Sequence, residues 1–123
     1  MAHILVIDDD ADIHFILKEF FTLEGHQVDS AGDGMDGLRM MELNRYDLVI
    51  TDVIMPKMNG LEVIAAIKQN FPDIRIVALT GGTAKIGKDL LLSTANLMRA
   101  DRVIAKPLDL KVLKAAVNEV LAN

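Results

Sequence analysis

Residues 4–10 read Ile4-Leu5-Val6-Ile7-Asp8-Asp9-Asp10, an apolar run that ends abruptly in three acids. An apolar run without polar alternation is typical of a strand buried on both faces of a parallel sheet. The residues after such a strand lie at the carboxyl edge of the sheet, where ligands bind in open α/β folds. This stretch therefore predicts a buried first strand with a cluster of negative charge at its end.

The same alternation continues along the chain. Further apolar runs cover 48–50, 76–79 and 103–105, and residues 28–31 can form a short strand. Apolar residues at helical spacing follow these five predicted strands near 13–21, 35–41, 61–67, 84–98 and 110–120. Gly25 and Pro72 mark helix ends, and Asp109 is a suitable N-cap for the last helix. Five repeats of strand and helix predict an α/β fold, a single doubly wound (βα)5 domain over residues 1–123 with a five-stranded parallel sheet and helices on both faces.

Composition narrows the class of protein. The 123 residues fit one domain, and the core must be aliphatic because 51% of residues are hydrophobic while 4% are aromatic and Trp is absent. The net charge of −5 argues against direct binding of nucleic acid or anionic lipid. The absence of Cys excludes disulfides and thiolate chemistry. Without a signal sequence or a long apolar run, the chain is expected to be soluble and cytoplasmic, with no membrane association.

Polar side chains gather at the predicted carboxyl edge. Residues 8–10 follow the first strand, Asp52 the third, Thr80 the fourth and Lys106 the fifth. Carboxylates that crowd together resist ionisation unless a cation joins them, and Mg²⁺ prefers such hard oxygen ligands. The ammonium of Lys106 and the hydroxyl of Thr80 could contact phosphoryl oxygens. The combination indicates a carboxylate nucleophile for Mg²⁺-assisted phosphoryl transfer.

These residues resemble the receiver (response regulatory) domains of two-component signalling over the whole chain. The matching stretches are Val6-Ile7-Asp8-Asp9-Asp10, Thr51-Asp52-Val53-Ile54-Met55-Pro56, Asn59-Gly60, Ala78-Leu79-Thr80 and Lys106-Pro107. The resemblance implies strand order 2-1-3-4-5 and a phosphorylation-dependent switch rather than an enzyme that turns over substrate. A phosphohistidine on a sensor histidine kinase or a histidine phosphotransfer protein would be the donor, and a downstream protein target or output domain would read the signal.

The resemblance also implies roles for individual residues. Asp52 would be the phosphoacceptor, Asp9 would bind Mg²⁺ directly, Asp8 mainly through water, and the backbone carbonyl of Ile54 would complete the metal site. Lys106 and Thr80 would contact the phosphoryl group. The Lys106-Pro107 peptide bond would be cis, an isomer that X-Pro bonds adopt at modest cost.

Some positions depart from the family pattern. Val103 stands where the family commonly has Tyr or Phe, so no aromatic ring is present to swing inward on phosphorylation. The conformational freedom of Gly81-Gly82 suggests that this loop could take over the role of that aromatic switch. Neither Ile54 nor Gly82 can orient an attacking water, which predicts slow self-hydrolysis. Phosphorylation is expected to shift the face formed by the fourth helix, the fifth strand and the last helix. The run 90–92 covers more than one face of the fourth helix, which fits either deeper burial or an exposed surface for a possible homodimer, and the second is preferred.

Two other functions fit the residues less fully. A phosphatase of the haloacid-dehalogenase type would use an Asp-x-Asp such as Asp8 to Asp10, but it would leave Asp52 without a role. A partner-binding domain that had lost phosphorylation would not need the complete set of acids, Thr80 and Lys106. The three histidines are expected to be non-catalytic, with His14 on a solvated helix face. Asp10 and Asp12 are expected to start the first helix.

Overall fold

A computed structural model describes residues 1–53, 60–80 and 99–122, with residues 60 and 61 described by their backbone alone. Its five strands form one sheet in the order β2-β1-β3-β4-β5, and all four pairings are parallel. The strands are β1 (His3–Ile7), β2 (Gln27–Ala31), β3 (Leu48–Asp52), β4 (Arg75–Thr80) and β5 (Arg102–Ala105). The predicted α/β class, parallel sheet and strand order are confirmed.

In the described residues, helices follow four of the five strands and cover both faces of the sheet. They are α1 (Ala11–Leu23), α2 (Gly34–Leu43), α3 (Gly60–Asn70) and a C-terminal helix (Leu110–Ala122). The predicted helix over 84–98, and with it the possible homodimer surface at 90–92 and the Gly81-Gly82 loop, lies outside the described residues. No helix in the part of the chain that the structure describes is long and apolar enough to cross a membrane.

The unbroken apolar run of β1 is explained by two cores, one on each face of the sheet. Ile4 and Val6 join the core covered by α1 and the C-terminal helix, whereas Leu5 and Ile7 join the core covered by α2 and α3. All four side chains are fully buried. Successive side chains of a strand point to opposite faces, so a strand between two helical layers needs apolar residues at every position.

Local signals in the sequence set the helix ends. The Asp10 carboxylate accepts a hydrogen bond from the amide of Asp12 and caps α1, and Asp109 caps the C-terminal helix by accepting from the amide of Lys111. Gly25, just beyond α1, has φ +92°, a conformation that favours glycine. The N-cap prediction for Asp109, the stop at Gly25 and the role of Asp10 in starting α1 are confirmed.

Some details of the structure differ from the expectations drawn from the sequence. Met35 begins the helical spacing predicted over 35–41, but it is 61% exposed and lies outside the core. Thr80 is the last residue of β4 rather than the first residue after it. The strands at the sheet edges are less apolar and less buried than predicted, and Ile104 alone is buried in β5. An edge strand has one neighbour and a partly open face, so its side chains are not all enclosed.

Candidate functional site

Backbone hydrogen bonds fix the residues at the carboxyl ends of the strands. The amide of Asp8 donates to the carbonyl of Ala31 at 3.1 Å, which extends the β1–β2 pairing into the acidic loop. Next to β4 and β5, the amide of Lys106 donates to the carbonyl of Thr80 at 2.7 Å. Asp52 ends β3, between these two places, and pairs in register with Leu79. Residues far apart in sequence are thereby held at one edge by the sheet itself.

Lys106 connects two of the predicted acids. Its Nζ atom donates to Oδ2 of Asp8 at 3.2 Å and to Oδ2 of Asp52 at 3.1 Å. The side chain of Asp8 is fully buried, that of Asp52 is 7% exposed and that of Lys106 is 23% exposed. Charges that are shielded from water to this extent interact more strongly than surface pairs do. The contacts place three of the predicted site residues in one charged cluster.

The environment raises the pKa of the Asp8 carboxyl. Burial is the main cause, and the neighbouring charge of Asp52 acts in the same direction. The Asp10 amide, which donates to Oδ1 of Asp8 at 2.9 Å, and the Lys106 ammonium both favour the charged form but do not outweigh burial. Asp8 is therefore a carboxylate that would gain stability from a further cation.

The pKa of Lys106 is raised as well, which in a lysine favours the charged form. Burial favours its neutral form, but the charges and hydrogen bonds of Asp52 and Asp8 outweigh burial and raise its pKa. The ammonium stays protonated at neutral pH and supplies one positive charge to the cluster. The bond from Lys106 to Pro107 is cis, as the sequence resemblance implied.

A metal ion would fit among the acids. Asp8, Asp9 and Asp52 each present a carboxylate oxygen, and these oxygens lie within 4.8 Å of one another. Three carboxylates and one ammonium carry a formal charge of −2, which a divalent cation would neutralise. The donor atoms are all oxygens, the ligands that Mg²⁺ prefers over the nitrogen and sulfur donors of zinc or copper sites. The cluster has the donor chemistry of a magnesium site.

Two predicted site residues remain less defined. Thr80 is buried at the end of β4, and its carbonyl receives the Lys106 amide, so it lies beside the cluster in the sequence-predicted place. Ile54, whose carbonyl was expected to complete the metal site, lies outside the described residues. The roles assigned to both residues stay predictions.

The expectation that His14 lies on a solvated helix face is wrong. His14 is half-buried, and its Nε2 atom contacts the backbone carbonyl of Asp8. His14 is the fourth helical residue after the N-cap Asp10, and its side chain reaches back to the residue two positions before that cap. The sequence signal was therefore the helix cap, which indicates where His14 lies along the helix but not which group it meets.

The other two histidines lie away from the acidic cluster. His3 Nε2 and the Tyr46 hydroxyl both lie 2.8 Å from Oδ2 of Asp29, which connects β1, β2 and the loop before β3. His26 accepts a hydrogen bond from the amide of Ala2 at 3.0 Å. Both sets of contacts tie the N-terminal end of the sheet together.

Comparison with known proteins identifies the family of the chain. The family model of the response regulator receiver domain matches residues 4–118, and the chain belongs to this family. Receiver domains are switches of two-component signalling rather than conventional turnover enzymes. The chain is 35% identical to a probable chemotaxis protein CheY of Rhizobium etli over 118 residues. The aligned residues cover 95% of this chain and 90% of that protein.

The relatives differ in length. The chain is 28% identical to response regulator SaeR of Staphylococcus aureus and spans 52% of its length. The response regulator TrrA of Thermotoga maritima, solved in complex with Mg²⁺-BeF, has a TM-score of 0.84 and 34% identity, covering 98% of this chain and 99% of its own. TrrA has also been solved in complex with the histidine kinase ThkA.

Proposed function

We propose that Asp52 accepts a phosphoryl group in a Mg²⁺-dependent reaction and that this makes the chain a phosphorylation-controlled switch in a two-component phosphorelay. The observation that carries the proposal is the convergence of Asp8, Asp9, Asp52 and Lys106 at one edge of the sheet. The donor would be a phosphohistidine on a sensor histidine kinase or a histidine phosphotransfer protein. Support for such a donor comes from family membership and from the kinase complex of TrrA.

The proposed transfer forms one bond and breaks another. A carboxylate oxygen of Asp52 attacks phosphorus, and the bond between phosphorus and the donor imidazole nitrogen breaks. The imidazole leaves with the electron pair and takes up a proton, while Asp52 becomes an acyl phosphate. Lys106 already lies 3.1 Å from Asp52, so its ammonium is placed to hold negative charge on the incoming group.

Asp8, Asp9 and Asp52 would hold the Mg²⁺, with the carbonyl of Ile54 as the further ligand that the family resemblance implies. When bound, Mg²⁺ supplies neutralisation of the charge on the transferring phosphoryl oxygens. Asp8 is fully buried and already accepts hydrogen bonds through both oxygens, which suits a contact through water better than a direct one. Asp9 is exposed and suits direct binding.

The same geometry disfavours the phosphatase alternative. In that reading a residue of the 8–10 segment is the nucleophile and Asp52 has no role. Asp8 is fully buried and accepts hydrogen bonds through both carboxylate oxygens, and Asp10 caps α1, so both acids are already engaged within the fold. These contacts support Asp52 as the acceptor.

Phosphorylation of Asp52 would change the charge around Lys106. A shift of Lys106 would in turn move β5 and the C-terminal helix that packs against it. Lys106 follows β5 directly, and Ile104 of β5 packs in the same core as Leu113 and Val117 of the C-terminal helix. Allosteric couplings are usually about 1–3 kcal/mol, whereas a complete two-state swing needs about 5.5 kcal/mol. We therefore expect a population shift on the face that includes β5, the C-terminal helix and the predicted helix over 84–98. Val103 on this face is 46% exposed and has no aromatic ring to swing inward.

The proposed partners are proteins. The kinase or phosphotransfer protein would act in the cytoplasm, and a downstream protein or an output domain would recognise the shifted face. The net charge of −5 disfavours direct contact of this domain with nucleic acid or anionic lipid. A homodimer through the helix over 84–98 remains part of the proposal.

The decisive experiment is intact-protein mass spectrometry after incubation with acetyl phosphate or phosphoramidate, with Mg²⁺ or with EDTA. We expect one added phosphoryl group that requires Mg²⁺, is released by hydroxylamine and is absent from Asp52→Asn. Asp73→Asn removes an exposed acid between α3 and β4 and should be phosphorylated like the wild-type protein.

Three results would contradict the proposal that Asp52 is the phosphoacceptor of a switch. If folded wild-type protein gains no mass, the chain is a silent receiver-like module that works through partner binding alone. If Asp52→Asn is still modified in a Mg²⁺-dependent reaction, Asp52 is not the acceptor. Steady hydrolysis of small phosphate esters would instead favour the phosphatase.

A further inference from the structure

We propose that His14 is a positioning residue for the metal-binding acids and acts through the peptide bond between Asp8 and Asp9. The inference rests on the function proposed above, because it concerns the same acids. His14 belongs to α1 and carries no ligand atom of the acidic cluster. Its contribution would be to hold the loop that carries the ligands.

The contact itself defines the direction of the hydrogen bond. Nε2 of His14 meets the backbone carbonyl oxygen of Asp8. A carbonyl can only accept, so Nε2 must carry the proton and donate. The half-buried imidazole is thereby fixed between helix α1 and the end of strand β1.

This hydrogen bond completes the immobilisation of Asp8. The amide of Asp8 donates to Ala31, Oδ1 accepts from the amide of Asp10 and Oδ2 accepts from Lys106. The carbonyl is the remaining polar group of the residue, and His14 holds it. Each polar group of Asp8 is therefore engaged by a different part of the fold.

The hydrogen bond to the Asp8 carbonyl also restrains Asp9, because the peptide bond between the two residues is planar. The carbonyl of Asp8 and the amide nitrogen of Asp9 belong to one rigid unit, so a donor that fixes the carbonyl also fixes where the Asp9 side chain begins. Asp9 is exposed, and among the contacts between described residues none holds its carboxylate. The placement of this predicted direct ligand thus depends on its backbone, and His14 restrains that backbone from outside the loop.

Restraint of this kind improves metal affinity because a preorganised ligand set loses less conformational freedom on binding. Removal of groups that orient metal ligands typically weakens metal affinity about 10–100-fold. We expect a value near the lower end for His14→Ala, since β1 and Asp10 still hold the rest of the loop. His14→Gln can place an amide N–H where Nε2–H was and should recover most of the affinity.

The test is calorimetric titration of Mg²⁺ into wild-type protein, His14→Ala, His14→Gln and His26→Asn, with thermal unfolding of each in EDTA. His26→Asn changes a half-buried histidine at the opposite end of the sheet and serves as the matched control. We expect about tenfold weaker Mg²⁺ binding for His14→Ala, near wild-type binding for His14→Gln and no change for the control. The phosphorylation rate of His14→Ala should approach the wild-type rate at saturating Mg²⁺.

Different failures have different meanings. If wild-type protein does not bind Mg²⁺, the proposed function fails and this inference fails with it. If wild-type protein binds Mg²⁺ and His14→Ala binds it equally well, the inference alone is overturned. Weak binding by both His14 variants together with a lower melting temperature in EDTA would also overturn it, because His14 would then act only on folding.

Discussion

The Nζ atom of Lys106 lies 3.1 Å from Oδ2 of Asp52, although 54 positions separate the two residues in sequence. The same Nζ lies 3.2 Å from Oδ2 of Asp8. One ammonium thus donates to two poorly solvated carboxylates and partly neutralises their charge. The stability of the metal-free protein and its response to Mg²⁺ should therefore be linked through this lysine.

Replacement of Lys106 by Met should destabilise the metal-free protein. Methionine keeps the length of the side chain but removes the charge, so Asp8 and Asp52 lose a shared donor and repel each other. Loss of one partner from a poorly solvated pair costs about 1–3 kcal/mol in free energy of unfolding. The lower end is expected because Lys106 is partly exposed. Urea unfolding in EDTA measures this change.

Mg²⁺ should restore more stability to Lys106→Met than to the wild-type protein, because the ion replaces the missing positive charge. The exposed Lys111→Met on the C-terminal helix is the control and should unfold like the wild-type protein in both conditions. Equal stability of Lys106→Met and wild-type protein in EDTA would show that the two contacts do not stabilise the fold.

Neutralisation of Asp8 should have the opposite effect on the metal-free protein. The pKa of Asp8 is raised by burial and by Asp52, so its charged form costs stability above the folded pKa, and the cost disappears as pH falls through that pKa. Asp8→Asn removes the charge at every pH and keeps an acceptor for the Asp10 amide. We expect a higher free energy of unfolding in EDTA at pH 7, measured by urea unfolding, together with loss of stabilisation by Mg²⁺.

The exposed Asp36→Asn is the control for that measurement and should leave the Mg²⁺ response unchanged. A destabilised Asp8→Asn would mean that the attraction of Lys106 for Asp8 outweighs burial. Stability gained by removal of a functional charge is the expected sign of a site shaped for binding rather than for folding.

Much of the site could be predicted because sheet topology converts strand ends into neighbours. Asp8, Asp52 and Lys106 each follow or end an apolar run, and parallel strands deliver such residues to one edge. The role of His14 depends on the angle at which α1 leaves the loop, which no periodicity records. The exposure of Met35 could not be predicted for a related reason, since helical spacing identifies an apolar stripe but not which end of the helix the sheet covers.

A close approach between α2 and β1 makes Gly37 sensitive to any added atom. A Cβ at Gly37 would lie 2.4 Å from Cδ1 and 2.8 Å from Cγ1 of Ile7, which is fully buried and directly precedes Asp8. Overpacking of this kind costs about 1–3 kcal/mol, against a gain of about 1 kcal/mol from the helix propensity of alanine. Gly37→Ala should therefore lower the free energy of unfolding measured in urea.

The second variant for this contact is Ile7→Val, which lacks the nearest atom. Combined with Gly37→Ala, it should recover part of the lost stability, so that the two changes are not additive. Gly32→Ala is the matched control, because a Cβ there has no heavy atom within 4 Å among the described residues. Unaltered stability in Gly37→Ala would show that β1 can shift to accept the methyl group.

His26 should make the stability depend on pH at the end of the sheet opposite to the acids. Its Nδ1 accepts a hydrogen bond from the amide of Ala2 at 3.0 Å, so the ring must be neutral at that nitrogen. Its pKa is lowered by burial and by the positive N-terminus, with Glu24 opposing. A lowered folded pKa means that the unfolded chain binds the proton more readily, so stability is complete above the ordinary pKa of 6.5 and falls as pH drops below it.

The size of this fall should be about 0.5–1.5 kcal/mol, the net value of one hydrogen bond, and it should level off below the folded pKa. Urea unfolding in EDTA between pH 7.5 and 5, on the order of one unit either side of the ordinary value, would measure it. His26→Asn can accept the same hydrogen bond through its side-chain oxygen but does not titrate. Because His3 and His14 remain in both proteins, the difference between wild-type protein and His26→Asn isolates His26. If that difference does not change with pH, protonation of His26 is not coupled to folding and the Ala2 contact is incidental.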